Sequence, residues 1–75
     1  MKVKNVGSNM TEVSLNDGTL ILFSYETPVA AEFDYKLYRT KTKWSATTTR
    51  HINKWLDGRK AEEAYQTFFD GLAED

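Results

Sequence analysis

Seventy-five residues, with 40% apolar, 28% charged and ten aromatic side chains, make one small globular domain with no room for a deep, enclosed substrate cavity. A net charge of −1 and the absence of cysteine exclude a uniformly basic carrier of nucleic acid, a disulfide scaffold and a thiolate metal site. The longest apolar run, "LILF" at residues 20–23, is too short to span a bilayer, and no secretory segment follows Met1-Lys2, so a soluble cytoplasmic protein without a membrane partner is expected.

The first half reads as antiparallel sheet. "KVKNV" suits a short edge strand, solvated by Lys2 and Lys4, and Gly7-Ser8-Asn9 turns the chain. Val13 and Leu15 alternate ahead of Asp17-Gly18, and a β-rich run from Thr19 to Tyr25 follows. An Asp-Gly pair between two such runs predicts a type I′ hairpin, whose two central residues both need φ > 0. Pro28 marks a strand start or an edge, and "VAAEF" and "KLYRT" read as two further strands around Phe33-Asp34-Tyr35. By alternation, either Leu37 or Tyr38 faces the core, not both.

The second half reads as helical. Ser45, Thr47 and Thr48 are candidate N-caps, because a hydroxyl accepts from the free N–H groups of a first turn. Ile52, Trp55 and Leu56 form an apolar stripe, and Asp57-Gly58 ends the helix. Ala61, Ala64, Tyr65, Phe68, Phe69 and Leu72 then recur with helical period, with Glu62 and Glu63 favourably placed in the first turn. The expected fold class is α+β: a small antiparallel sheet of three to five short strands followed by two C-terminal helices packed on one face. Strands occupy mainly residues 1–43, with helices over 46–57 and 60–73 of a single domain, 1–75.

The small net charge hides an asymmetry. Residues 36–60 carry eight cations against Asp57 alone, whereas residues 1–35 and 61–75 are acidic. Such a field bears on partners, not on fold. Within the basic segment, Arg39, Lys41, Lys43, Trp44, Arg50 and Lys54 are the candidate partner-binding surface. Cations there can meet phosphates or an acidic protein face, and Trp44 can stack on a base or anchor an interface.

His51, the only histidine, has Ser45, Thr47, Thr48 and Thr49 upstream and Asp57 downstream, so a nucleophile–base set can be imagined. The same residues are what an N-capped helix needs. One histidine without cysteine or a loop of acidic ligands supplies no metal set, and the four glycines are isolated in turns and caps. No catalytic residue, cofactor or metal is expected, and the protein is read as not an enzyme.

At "FSYETPVA", "LYRTKTKWSATTTRHINKWLDGR" and the closing amphipathic segment, roughly residues 20–72, the sequence resembles a family of small uncharacterised bacteriophage-encoded proteins. "SATTTRHIN" is the most specific part. The chain departs from that pattern at Phe33-Asp34-Tyr35, where similar sequences place a glycine turn. The resemblance implies an origin, not an activity. Small phage accessory proteins commonly act stoichiometrically, and by that analogy the expected function is inhibition or modulation of a host protein, ribonucleoprotein or defence complex, in the manner of an anti-CRISPR, in the host cytoplasm. The alternative is a non-enzymatic module for single-stranded DNA or RNA using segment 36–60. An exposed edge strand also invites a homodimer.

Overall fold

Short β-rich runs cut by turn residues fold as five consecutive antiparallel strands: β1 (Lys2–Gly7), β2 (Met10–Ser14), β3 (Leu20–Ser24), β4 (Thr27–Phe33) and β5 (Lys36–Thr40), with β3 and β4 apolar on both faces. The computed structural model describes residues 1–74, so Asp75 of the acidic C-terminal segment lies outside the described residues. After β5, α1 (Ala46–Leu56) crosses over the sheet and delivers the chain to β6 (Glu62–Ala64), which pairs parallel with β5, and α2 (Gln66–Ala73) follows. A parallel neighbour requires such a crossover, since a tight turn cannot reverse direction twice. The fold is α+β, with strand order β1-β2-β3-β4-β5-β6.

Two expectations change here. The sheet has six strands, not three to five, and the extra one lies inside the segment predicted as helix 60–73. The open edge of β5 offers unpaired backbone groups to Glu62, Glu63 and Ala64, and that pairing outweighs the local helical period. The helix therefore begins only at Gln66, after Tyr65, which provides no side-chain cap.

Register also shows that the helices do not share a face. Met10, Leu22 and Ala30 project to one side, where they form a core with Val29 and with Ile52 and Leu56 of α1. Ile21, Ala31 and Tyr38 alternate to the opposite side, where Phe68 of α2 packs on Phe33 and Tyr38 and Phe69 is fully buried. A helix that closes a parallel crossover covers one face, and β6 then releases the chain onto the other. Leu37 and Tyr38 are consequently both half-buried, one on each face, so the choice between them dissolves. A bulge opposite Leu22 and Phe23 brings Val29 into the α1 core beside Ala30. Burial of Ile52 and Leu56, each 3% exposed, stabilises the α1 contact by roughly 1.5–3 kcal/mol per side chain.

The turns are also redistributed. Between β2 and β3 the loop is Asn16-Asp17-Gly18, and only Gly18 has positive φ, at 95°. Leu15 N–H donates to the Thr19 carbonyl at 2.8 Å, which closes a three-residue loop in place of a type I′ turn. The Asp17 carboxylate accepts from Thr19 N–H at 2.9 Å, and this bond, reinforced by the Thr19 hydroxyl, holds its pKa below the ordinary 3.8. Two consecutive positive φ values occur instead at Asp34 (53°) and Tyr35 (66°), in the β4–β5 turn. α1 starts as the sequence suggests: Ser45 Oγ accepts from Thr48 N–H at 3.1 Å. Its far end is closed by left-handed Asp57 and by Arg59, which donates to the carbonyls of Leu56 and Trp55 at 2.8 and 2.9 Å.

Candidate functional site

The chain leaves β5 at Thr40 and enters α1 at Ser45, and this corner carries most of the basic segment. Lys41 N–H extends the parallel pairing by donating to the Ala64 carbonyl at 2.9 Å, so the loop leaves the sheet in a fixed direction. Arg39, Lys41 and Lys43 thereby line one open groove of about 370 Å³ between β5, α1 and β6, with Ile52 and Ala61 among its lining residues. Arg39 is half-buried, and its guanidinium donates to Asn53 Oδ1 on α1 at 3.2 Å, which fixes its direction. Glu63, opposite Arg39 in register, puts one carboxylate into the same groove. A second groove of about 550 Å³, flanked by Lys36 and Lys60 over Leu37 and Ala61, meets the first at Ala61.

Trp44 sits beside this groove and is 51% exposed. Its indole N–H donates to Gln66 Oε1 at 3.2 Å, and the same oxygen accepts from the Thr40 hydroxyl at 2.8 Å. Gln66 Nε2 in turn donates to the Pro28 carbonyl at 2.7 Å and to Asp70 Oδ1 at 3.1 Å. One carboxamide at the start of α2 thus ties together β4, β5, the corner loop and Trp44. Sequence reasoning missed Gln66, because a lone glutamine on a helix gives no signal until its four partners are seen. Tyr65 shares the helical period of Phe68 and Phe69, yet it precedes α2, is 70% exposed and lies under the Lys41 ammonium at 4.5 Å.

The other two candidates stand apart from the groove. Arg50 is exposed on α1 and donates to Thr47 Oγ1 at 3.1 Å. Lys54 lines a different cleft, with Val6, Met10 and Trp55, toward the β1 side of the sheet. Trp55 packs against the core, and its N–H donates to Glu12 Oε1 at 2.8 Å. Arg59 stacks over that indole at 5.6 Å as part of the helix closure.

His51 does meet a hydroxyl, though from β3 and not from its own segment: Nδ1 is 2.7 Å from Ser24 Oγ, which lies 3.0 Å from Thr48 Oγ1. Ser24 is 2% exposed beneath α1, so its oxygen is sealed from a substrate, and the network pins the first two turns of α1 onto the sheet. Among the described residues, no group of three or more His, Cys, Asp or Glu side chains is placed to hold a metal ion, and no helix is long and apolar enough to cross a membrane.

A small α+β domain presenting a cationic groove beside two exposed aromatic rings is the class that fold and surface together define. The chain belongs to a family of unknown function, DUF8033, whose model matches residues 1–71. Comparison with curated proteins gave no match, and comparison with solved structures gave none either.

Proposed function

We propose that the chain acts stoichiometrically, by binding, as a phage-type accessory protein that inhibits or modulates a host protein or defence complex in the bacterial cytoplasm, with the corner between β5 and α1 as its contact surface. The observation that carries this reading is the convergence of Arg39, Lys41 and Lys43 on one groove with the apolar side chains of Ile52 and Ala61. Cations around an apolar floor suit an acidic protein face, in which hydrophobic contact supplies affinity and charge supplies steering and register. Glu63 within the groove and Glu62 beside it suit a protein face that sets a cation or a neutral donor among its acidic residues, which a uniformly anionic polyphosphate cannot do. Trp44 is a suitable anchor, being large, open and already oriented by Gln66. The phage setting rests on the sequence resemblance and on size.

A second reading, binding of single-stranded nucleic acid, is favoured by one feature: Trp44 and Tyr65 are both exposed near Lys41 and Lys43, as a stacking platform with phosphate contacts requires. One experiment separates the two. The tagged protein and its Lys41→Glu/Lys43→Glu variant are used to capture partners from bacterial lysate with and without nuclease, while a labelled single-stranded oligonucleotide is titrated by fluorescence anisotropy across a salt series. A nuclease-resistant protein partner lost in the variant and kept in Arg50→Glu supports the first reading. Oligonucleotide binding whose log affinity falls by about 0.7 per phosphate contact with log salt supports the second. Capture indifferent to Lys41 and Lys43 refutes the assigned surface.

A further inference from the structure

At the end of the sheet away from Trp44, Tyr35 is 96% exposed on a backbone with φ of 66°, a conformation that turns usually give to glycine or asparagine. The ring gains almost nothing from its own chain to offset the strain. The two-residue turn between paired Phe33 and Lys36 imposes that backbone and leaves the ring standing free at its tip, and exposed aromatics of this kind are enriched at interfaces.

Tyr35 lines two clefts at once. On one side Asp17, Glu32 and Asp34 surround an acidic cleft of about 170 Å³. On the other, Lys36 and Lys60 flank the apolar groove over Leu37 and Ala61, with Glu62 on its rim. An aromatic side chain between a negative and a positive patch is self-complementary, because a two-fold axis beside it sets each acidic cleft against the lysines of the other copy, twice over. We propose that the chain forms a symmetric homodimer through this end, with each Tyr35 ring seated over the Leu37–Ala61 groove of the other copy and Lys36 and Lys60 facing Asp17, Glu32 and Asp34 across the axis.

The free edge of β1 is a poorer route to a dimer. Antiparallel self-pairing centred on Val3 or Lys4 sets Lys2 or Lys4 against a lysine, and like charges placed opposite each other oppose pairing. Eleven residues line the two clefts, against the roughly 20–30 per side of a standard interface, so the dimer is small, reversible and sensitive to salt.

Sedimentation velocity of the full chain over a concentration series tests this. The weight-average mass is expected to rise from 8.6 kDa toward twice that value and to fall back at high salt. Tyr35→Gly should weaken the dimer by about tenfold or more while leaving thermal stability equal or higher, since glycine accepts positive φ without strain. Lys36→Glu/Lys60→Glu and Glu32→Lys/Asp34→Lys should each be monomeric alone and recover a one-to-one dimer when mixed. Lys41→Glu/Lys43→Glu should dimerise like the parent, so a failure here is distinguishable from a failure of the groove assigned above. A chain that stays monomeric at every concentration overturns the proposal. So does a dimer that survives both charge reversals, or a mixture that does not associate.

Discussion

Replacing Gln66 with alanine removes one carboxamide from four partners and separates the stability of the β5–α1 corner from the orientation of Trp44. Thr40 is 6% exposed and Pro28 is buried, so the Thr40 hydroxyl and the Pro28 carbonyl are the costly losses. A buried polar group left without its partner costs about 1–3 kcal/mol. Thr40 Oγ1 keeps the N–H of Thr42, at 3.1 Å, and half-buried Gln66 leaves space that water can enter, so the expected net loss is about 2 kcal/mol. At about 4–8 °C per kcal/mol for a domain of this size, the melting temperature should fall by about 8–16 °C. The second readout is the indole itself. In a Trp55→Phe background, where Trp44 is the sole tryptophan, Gln66→Ala should red-shift the emission and lower the anisotropy. Gln66→Glu keeps the acceptor for Trp44 but sets an anion against the Pro28 carbonyl, so it should destabilise the domain while holding the Trp44 spectrum. Unchanged Trp44 emission in Gln66→Ala, with a melting temperature within experimental error of the parent, would refute the hub.

Phe69 is fully buried whereas Phe68 is half-buried, so Phe69→Ala should cost about 3–5 kcal/mol, most of what a domain of 75 residues has, and Phe68→Ala clearly less. Equal urea midpoints for the two variants would show that α2 docks differently. Asp17 should titrate below 3.8, because the Thr19 N–H and hydroxyl bond its charged form. A depressed carboxylate pKa means a contribution to stability that is complete above 3.8 and lost as pH falls through the lower folded value, and Asp17→Asn should flatten that acid limb. A carboxyl midpoint at or above 3.8 by NMR titration would count against the turn geometry.

Much of this architecture is written locally. The β-rich runs of Met10–Ser14 and Leu20–Ser24 specify strands, Ser45 and Thr48 specify where α1 begins, and the eight cations of residues 36–60 concentrate positive charge in one third of the chain. These are properties of neighbours along the chain, and side-chain period and capping chemistry express them without further context. What depends on distant residues was not legible. The strand Glu62–Ala64 exists because β5 leaves an open edge, and the helix-like spacing around it gave no sign of that. The opposite placement of α1 and α2 follows from that parallel strand, and it is why Leu37 and Tyr38 are both covered. The candidate surface divides for the same reason. Arg39, Lys41 and Lys43 share a groove because β5 continues into the corner loop, Arg50 and Lys54 leave it because α1 turns them elsewhere, and Trp44 is held by a glutamine 22 residues away. Which residues are apolar, charged or able to cap can be read residue by residue along the chain. Which of them meet depends on the closed fold, because a hydrogen bond or a groove is a relation between segments that the chain brings together when it closes its sheet.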